Sequence, residues 1–185
     1  AGGDEGVPYQ DVDNRMEAMG PVLDGDLPVI VVANDVRQIQ ATLDWAETEG
    51  VRIIIMGGHD AGMVAGELAA RDVPVIYSTT FRLPPRRHDP YDALYSAPAR
   101  LHEAGARFCI ATTFGPADER VLPSEAARAS AHGLPRQEAL KAVTLYAAQI
   151  LGVDDRLGSL EVGKHASLVV TDGDLLEMTT RIEQA

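Results

Sequence analysis

The sequence predicts an α/β fold built on a parallel sheet, and three observations support this prediction. Four short apolar runs rich in β-branched residues are typical of strands buried on both faces of such a sheet; they cover residues 28–33, 52–56, 73–77 and 107–111. Apolar residues at helical spacing follow each run. The units repeat every twenty to thirty residues or so, which is typical of right-handed βαβ crossovers.

The first half of the chain gives two of these units. A small, acidic, glycine-rich start leads into a predicted short helix over 11–23. After the first strand, Asn34 or Asp35 is a candidate cap for a helix that Gly50 ends. After the second strand, two glycines turn the chain and His59 and Asp60 precede the next helix.

The second half continues the same alternation. A long polar loop over 78–89 follows the third strand, and a helix is predicted over 93–104. Two helices, over 124–132 and 136–151, follow the fourth strand. Short strands are then predicted at 160–162 and 166–171, the second of them buried.

Composition and charge exclude several classes of function. The net charge is −12, which argues against general binding to nucleic acid or to an anionic membrane surface. No apolar run approaches the ~18 residues of a membrane span. The single cysteine, Cys109, lies in an apolar run, so we interpret it as a packed thiol.

The stretch from residue 133 to 173 carries a family resemblance. It reads GLPRQEALKAVTLYAAQILGVDDRLGSLEVGKHASLVVTDG, and this order of helix, turn and G-S-L-E-V-G-K segment resembles the C-terminal end of the amidohydrolase superfamily. The similarity is to its imidazolonepropionase-like and dihydroorotase-like branches. Ser167 stands where that family usually carries Asp, at a position that belongs to the scaffold.

This resemblance implies a more specific fold. The four strands would be the last four of a (β/α)8 TIM-type barrel, so the chain would be the C-terminal half of that barrel plus a short piece of a small β-subdomain. A complete barrel usually needs ~250 residues, and this chain has 185. The implied division is an N-terminal segment over 1–27, the half-barrel over 28–152 and the β-subdomain segment with its tail over 153–185.

The resemblance also implies an activity and a cofactor. Related amidohydrolases hydrolyse non-peptide carbon–nitrogen bonds, often in small cyclic amides, with one or two divalent metals such as zinc held by histidines and carboxylates. Here the corresponding strand ends read Val32-Ala33-Asn34, Ile55-Met56-Gly57 and Ala111-Thr112-Thr113. Neither Met56 nor Thr113 can replace a histidine ligand or a catalytic aspartate. The sequence therefore predicts no metal ligand at these three strand ends and no certain cofactor in this chain, and a divalent metal such as zinc would belong to the longer parent protein.

The candidate site residues lie where the predicted strands end. His59 and Asp60 are the catalytic candidates. By the resemblance, His59 could be a sixth-strand metal ligand displaced two or three residues along the loop and oriented by Asp60; the alternative is that either one simply caps the following helix. The candidates for substrate binding are Asn34, Arg82, Thr112 and Thr113. Arg82 belongs to a basic cluster with Arg86, Arg87 and His88, which could bind a carboxylate or could be solvated or paired with Asp89 and Asp92.

Two functional hypotheses remain open at this point. One is an amidohydrolase-like enzyme acting on a small molecule, for which this chain alone is inactive. The other is a non-catalytic α/β binding or scaffold module, for which a flavodoxin-like sheet would also fit the periodicity. In either case the uncovered sheet edge predicts a partner, which is the missing N-terminal half or a second copy of the half-barrel.

Overall fold

The computed structural model describes residues 13–78, 80–112 and 116–184. The described chain begins with two helical turns, α1 (Asn14–Glu17) and α2 (Gly20–Leu23), in place of the single helix predicted over 11–23. Gly20 and Pro21 explain the interruption, since proline offers no N–H for a continuous helix. Residues 11 and 12 of that prediction lie outside the described residues.

Four parallel strands form the central sheet, as the sequence predicts. They are β1 (Val29–Ala33), β2 (Ile53–Gly57), β3 (Val75–Tyr77) and β4 (Phe108–Ile110). Their spatial order, β1-β2-β3-β4, is also their order in the chain. A flavodoxin-like sheet reverses its strand order at a switch point. The sequential order found here is instead that of part of a (β/α)8 barrel.

Helices connect and follow the strands. They are α3 (Val36–Glu49), α4 (Ala65–Ala70), α5 (Ala97–Glu103), α6 (Leu122–Ala131), α7 (Arg136–Ala142) and α8 (Leu145–Ile150), with 3₁₀ segments at Ala61–Met63 and Pro116–Val121. Asp35 caps α3 in a capping box with Gln38, and Gly50 ends it in the left-handed conformation. The helix predicted over 136–151 is divided at Thr144, whose backbone is not helical and whose hydroxyl donates to the Leu140 carbonyl at 2.8 Å.

The sheet buries one face more completely than the other. Alternate strand residues, among them Ile55, Tyr77 and Phe108, cluster with helix residues in the main core. On the opposite face, Ile54 and Cys109 form a smaller cluster with Ile150 of α8. Cys109 is therefore the packed thiol that the sequence predicts, and burial raises its pKa to about 12.

β1 forms an edge of this sheet. It pairs with β2 along its whole length and with no other strand among the described residues. Ile30 and Val32, on the less covered face, are 49% and 70% exposed. An apolar edge strand whose outer backbone groups pair with no other described strand is unusual at a solvent-exposed surface.

The C-terminal segment differs from its prediction. β5 (Val170–Thr171) and β6 (Ile182–Gln184) form a two-stranded antiparallel sheet, and no strand forms at 160–162. The prediction of a buried strand over 166–171 is wrong, because the valines at 169 and 170 are exposed and no described segment covers them. No helix among the described residues is long and apolar enough to cross a membrane.

Candidate functional site

The carboxyl ends of the four strands lie side by side. In the register of the sheet, Ala33 pairs with Gly57, Gly57 with Tyr77, and Tyr77 with Ile110. The loops that leave these four residues therefore start from one edge of the sheet. In α/β barrels this edge is the mouth that carries the reactive groups.

Asn34 lies directly over the end of β2. Its backbone N–H donates to Gln38 Oε1 at 2.8 Å, and its carbonyl accepts from the Asp60 N–H at 2.8 Å. Its side-chain oxygen approaches Gly57 so closely that a Cβ at this glycine would clash with it. Gly57 also has φ +97°, which favours glycine. The end of β2 thus has no side chain of its own, and the Asn34 amide takes that space.

Asp60 links two of the loops at the mouth through hydrogen bonds. Its carboxylate is 4% exposed and receives the Arg86 guanidinium in two bonds, at 2.9 and 2.7 Å, as well as the Val36 N–H at 3.2 Å. Arg86 also donates to Asp89 at 3.0 Å. These bonds raise the pKa of Arg86 well above its ordinary value. Asp60 therefore ties the loop after β3 to the start of α3, and its side chain does not cap the following 3₁₀ turn.

His59 is half-buried beside this network. It lines a cleft of about 120 Å³ that Met63, Arg86 and Arg100 also border. Burial lowers its pKa, and the positive charge of Arg82 lowers it further, whereas Asp60 acts in the opposite direction. A histidine in this setting stays neutral at physiological pH, with one nitrogen able to accept a proton.

The remaining candidates are spread along the mouth. Thr112 is half-buried two residues beyond β4, and Thr113 lies outside the described residues. Arg82 is half-buried in the loop after β3, near enough to His59 to affect its pKa. The structure thus associates His59 with Asp60 and Arg82, and Asn34 with Gly57.

The described residues do not form a metal centre. In residues 13–78, 80–112 and 116–184, no three His, Cys, Asp or Glu side chains come together at a distance that could hold an ion. The strand ends that would carry imidazole ligands have Asn34 and Met56 nearby instead. The residues that the structure describes therefore do not by themselves assemble a complete set of ligands for a divalent metal.

Glu125 of α6 is a further buried polar residue, which was not among the candidates predicted from the sequence. Its side chain is 3% exposed, and its Oε2 atom has no hydrogen-bond partner. Burial raises its pKa to about 7, against the smaller opposing effect of Arg128. A signal was present in the sequence, because Leu122, Glu125, Ala126 and Ala129 occupy one apolar stripe at helical spacing. An acidic residue in such a stripe indicates a buried carboxyl.

Comparison with known proteins relates this chain to amidohydrolases, both by sequence and by structure. The amidohydrolase family profile matches residues 93–185. An amidohydrolase from Thermotoga maritima MSB8 superposes with a TM-score of 0.85 and 27% identity, over 97% of this chain and 46% of its own. No curated protein matches the sequence.

Two more distant structures share the fold. A metal-dependent hydrolase from Pyrococcus furiosus, itself uncharacterized, has a TM-score of 0.62 and 21% identity, over 82% of this chain and 35% of its own. A prolidase complexed with N-methylphosphonate-L-proline has a TM-score of 0.58 and 22% identity, over 84% of this chain and 40% of its own. The chain spans less than half the length of each of these structures.

Proposed function

This chain belongs to the amidohydrolase family, and from that premise we propose that its protein hydrolyses a non-peptide carbon–nitrogen bond in a small cyclic amide. The observation that carries the proposal is the family match over residues 93–185, which includes the G-S-L-E-V-G-K segment. That segment relates the chain to the imidazolonepropionase-like and dihydroorotase-like branches. The four sequential parallel strands support the family, and the branch and the substrate class are part of the proposal.

The proposed roles follow from the surroundings of each residue. His59, neutral because burial and Arg82 lower its pKa, accepts a proton from the attacking water. Asp60 is a positioning residue, since its carboxylate is fully engaged by Arg86 and the Val36 N–H. Arg82 carries a positive charge that can bind an acidic substituent of the substrate.

Asn34 and the threonines after β4 supply polar contacts in this proposal. The Asn34 amide, held over Gly57, offers both a donor and an acceptor at the mouth. The Thr112 and Thr113 hydroxyls would contact the substrate from the loop after β4. These groups orient a ring amide without carrying charge.

We place any metal outside this chain. Because the described residues do not bring three candidate ligands together, its ligands would come from the barrel half that this chain lacks. The Thermotoga structure is more than twice as long as the region this chain matches. No catalytic step proposed for this chain's residues depends on a metal.

The same comparison supports a partner for the open sheet edge. We propose that the missing barrel half, and not a second copy, pairs with β1. Each copy of this chain carries a net charge of −12, so two copies would repel one another. The division of the chain at residues 27 and 152 is part of this proposal.

Hydrolysis of a substrate panel tests the function. The longest natural protein containing this sequence is incubated with hydantoin, dihydrouracil and dihydroorotate, and ring opening is followed by loss of ultraviolet absorbance. We expect turnover of at least one ring, lowered by about 10²-fold or more in His59→Gln. His165→Gln, a change at an exposed histidine in the C-terminal segment, is the control. Absence of turnover across the panel would favour the non-catalytic binding or scaffold module.

A further inference from the structure

A second cavity lies far from the mouth, at the amino end of β4. Its volume is about 320 Å³, and its walls come from the end of α5, the start of β4 and one side of α8. This volume corresponds to about ten water molecules at ~30 Å³ each. It also falls at the lower end of the ~300–1,000 Å³ that is usual for small-molecule sites. The cavity therefore has room for one small ligand.

The apolar walls of this cavity are fixed by packing. Phe108 and Tyr146 meet edge to face, with their ring centres 6.3 Å apart. Phe108 belongs to the main core, whereas Ile150, on another side of the cavity, belongs to the smaller cluster. Aromatic walls that are held in place in this way favour a flat ring as the ligand.

A hydrogen-bonded network fixes the position of Tyr146. Its hydroxyl donates to Glu138 of α7, and Lys141 donates to the same carboxylate at 2.8 Å. The bonds from Lys141 and Tyr146 lower the pKa of Glu138, while burial and the bond to Glu138 raise the pKa of Tyr146. The tyrosine thus keeps its proton and stays bound to α7 across the break at Thr144. Groups with shifted pKa values beside a cavity are common at binding sites.

Two polar side chains at this cavity have unused hydrogen-bonding capacity. His102 of α5 is half-buried and Gln149 of α8 is exposed, and both line the cavity. Neither side chain makes a hydrogen bond to any residue within 13–78, 80–112 or 116–184. A neutral imidazole and an amide each offer one donor side and one acceptor side. Together they suit a ligand edge that carries both donors and acceptors.

The charges around the cavity favour an uncharged ligand. Arg107 lines the cavity, but its guanidinium donates to both Asp72 carboxylate oxygens, at 2.6 and 3.0 Å. Glu138 is paired with Lys141. A charged ligand would lose water here and find these charges already compensated, which makes its transfer into the cavity unfavourable.

We propose that this cavity binds an uncharged, flat heterocycle of about the size of a purine base, at a site separate from the mouth. The ring lies against Tyr146, and His102 and Gln149 form hydrogen bonds with its edge. In α/β barrels the reactive groups lie at the carboxyl ends of the strands, so a ligand at the amino end is bound without reacting. This inference does not rest on the proposed hydrolytic function.

Calorimetric titration of the longest natural protein tests the proposal. The probes are adenine, which is uncharged at neutral pH, and benzoate, a flat anion of similar size. We expect adenine to bind at least about 10-fold more tightly than benzoate, and His102→Leu and Gln149→Leu each to weaken adenine binding by about 3- to 10-fold. His165→Leu, at an exposed histidine of the C-terminal segment, is the control and should bind adenine as the parent does.

The variants also guard against misfolding. Because Gln149 is exposed, Gln149→Leu keeps the test valid if His102→Leu fails to fold. Equal binding of adenine and benzoate, or adenine binding that Gln149→Leu leaves unchanged, would overturn the proposal. So would a lack of adenine binding, which would mean that further chain fills the cavity. Hydrolysis at the mouth should not change in Gln149→Leu, so each of the two proposals can fail without the other.

Discussion

At the scale of single residues, Asp60 and Glu125 are both buried acids, but their settings are opposite. Asp60 has a bidentate arginine and a backbone N–H, and so its charge is compensated. Glu125 has an oxygen with no partner. The first arrangement stabilises the loops, whereas the second lowers the stability of the folded chain.

The raised pKa of Glu125 predicts a pH-dependent stability. Its pKa is about 7 in the folded chain and 4.5 as the reference value, so the folded state holds the proton more tightly. The resulting stabilisation is present below pH 4.5 and is lost as pH rises through 7. Glu125→Gln cannot ionise, and relative to the parent it should gain about 1–3 kcal/mol of unfolding free energy between pH 4.5 and 8.

Urea unfolding at several pH values checks this expectation. Glu119→Gln, at an exposed position, should show a stability difference from the parent that does not vary with pH. A Glu125→Gln difference that is flat across this range would mean that Glu125 ionises normally.

At the scale of elements, the turn after β2 fixes the shape of the mouth. Gly57 has a positive φ and lies against the Asn34 side chain, so Gly57→Ala meets both backbone strain and a clash. We expect a loss of unfolding free energy of roughly 1–2 kcal/mol from the backbone alone, with more from displacement of Asn34.

Gly66 offers a matched control for this substitution. It lies in α4 with open space around its Cα, and its φ is not in the left-handed region. Gly66→Ala should leave stability unchanged or raise it by up to about 1 kcal/mol, because alanine favours a helix. Thermal unfolding of both variants gives the comparison. Equal melting temperatures of Gly57→Ala and Gly66→Ala would show that the Asn34 side chain is displaced without loss of unfolding free energy.

At the scale of the whole molecule, the exposed face of β1 predicts that an additional segment of the protein covers this strand and stabilises the sheet. Val32 is 70% exposed, so Val32→Asp should change the stability of this chain alone by no more than about 0.5 kcal/mol. In the longest natural protein the same change should place a charge against the proposed barrel half and lower stability by about 3 kcal/mol or more.

Unfolding experiments on both lengths of the protein separate these effects. Leu83→Asp, at an 81% exposed position in the loop after β3, should have a small effect in both. An equally small effect of Val32→Asp in the longer protein would contradict pairing at β1. A solution mass of twice the chain mass for residues 1–185 would instead favour the second copy as partner.

The sequence by itself determined the strands, their parallel arrangement and the family. Apolar β-branched runs and the G-S-L-E-V-G-K turn pattern are local features, and local sequence controls them. It also located Asn34, His59 and Asp60 at strand ends. The sequence did not predict the break at Thr144 or the exposure of the C-terminal valines, because both depend on packing against other segments.

Only the tertiary structure decided which polar groups are paired. Asp60 meets Arg86 across 26 positions in the chain, and no spacing rule predicts such a contact. Glu125 remains unpaired because Arg128, one turn away, is held by rings from a different loop. Burial and partnership are properties of the folded arrangement, whereas strand and helix periodicity are already present in the order of the residues.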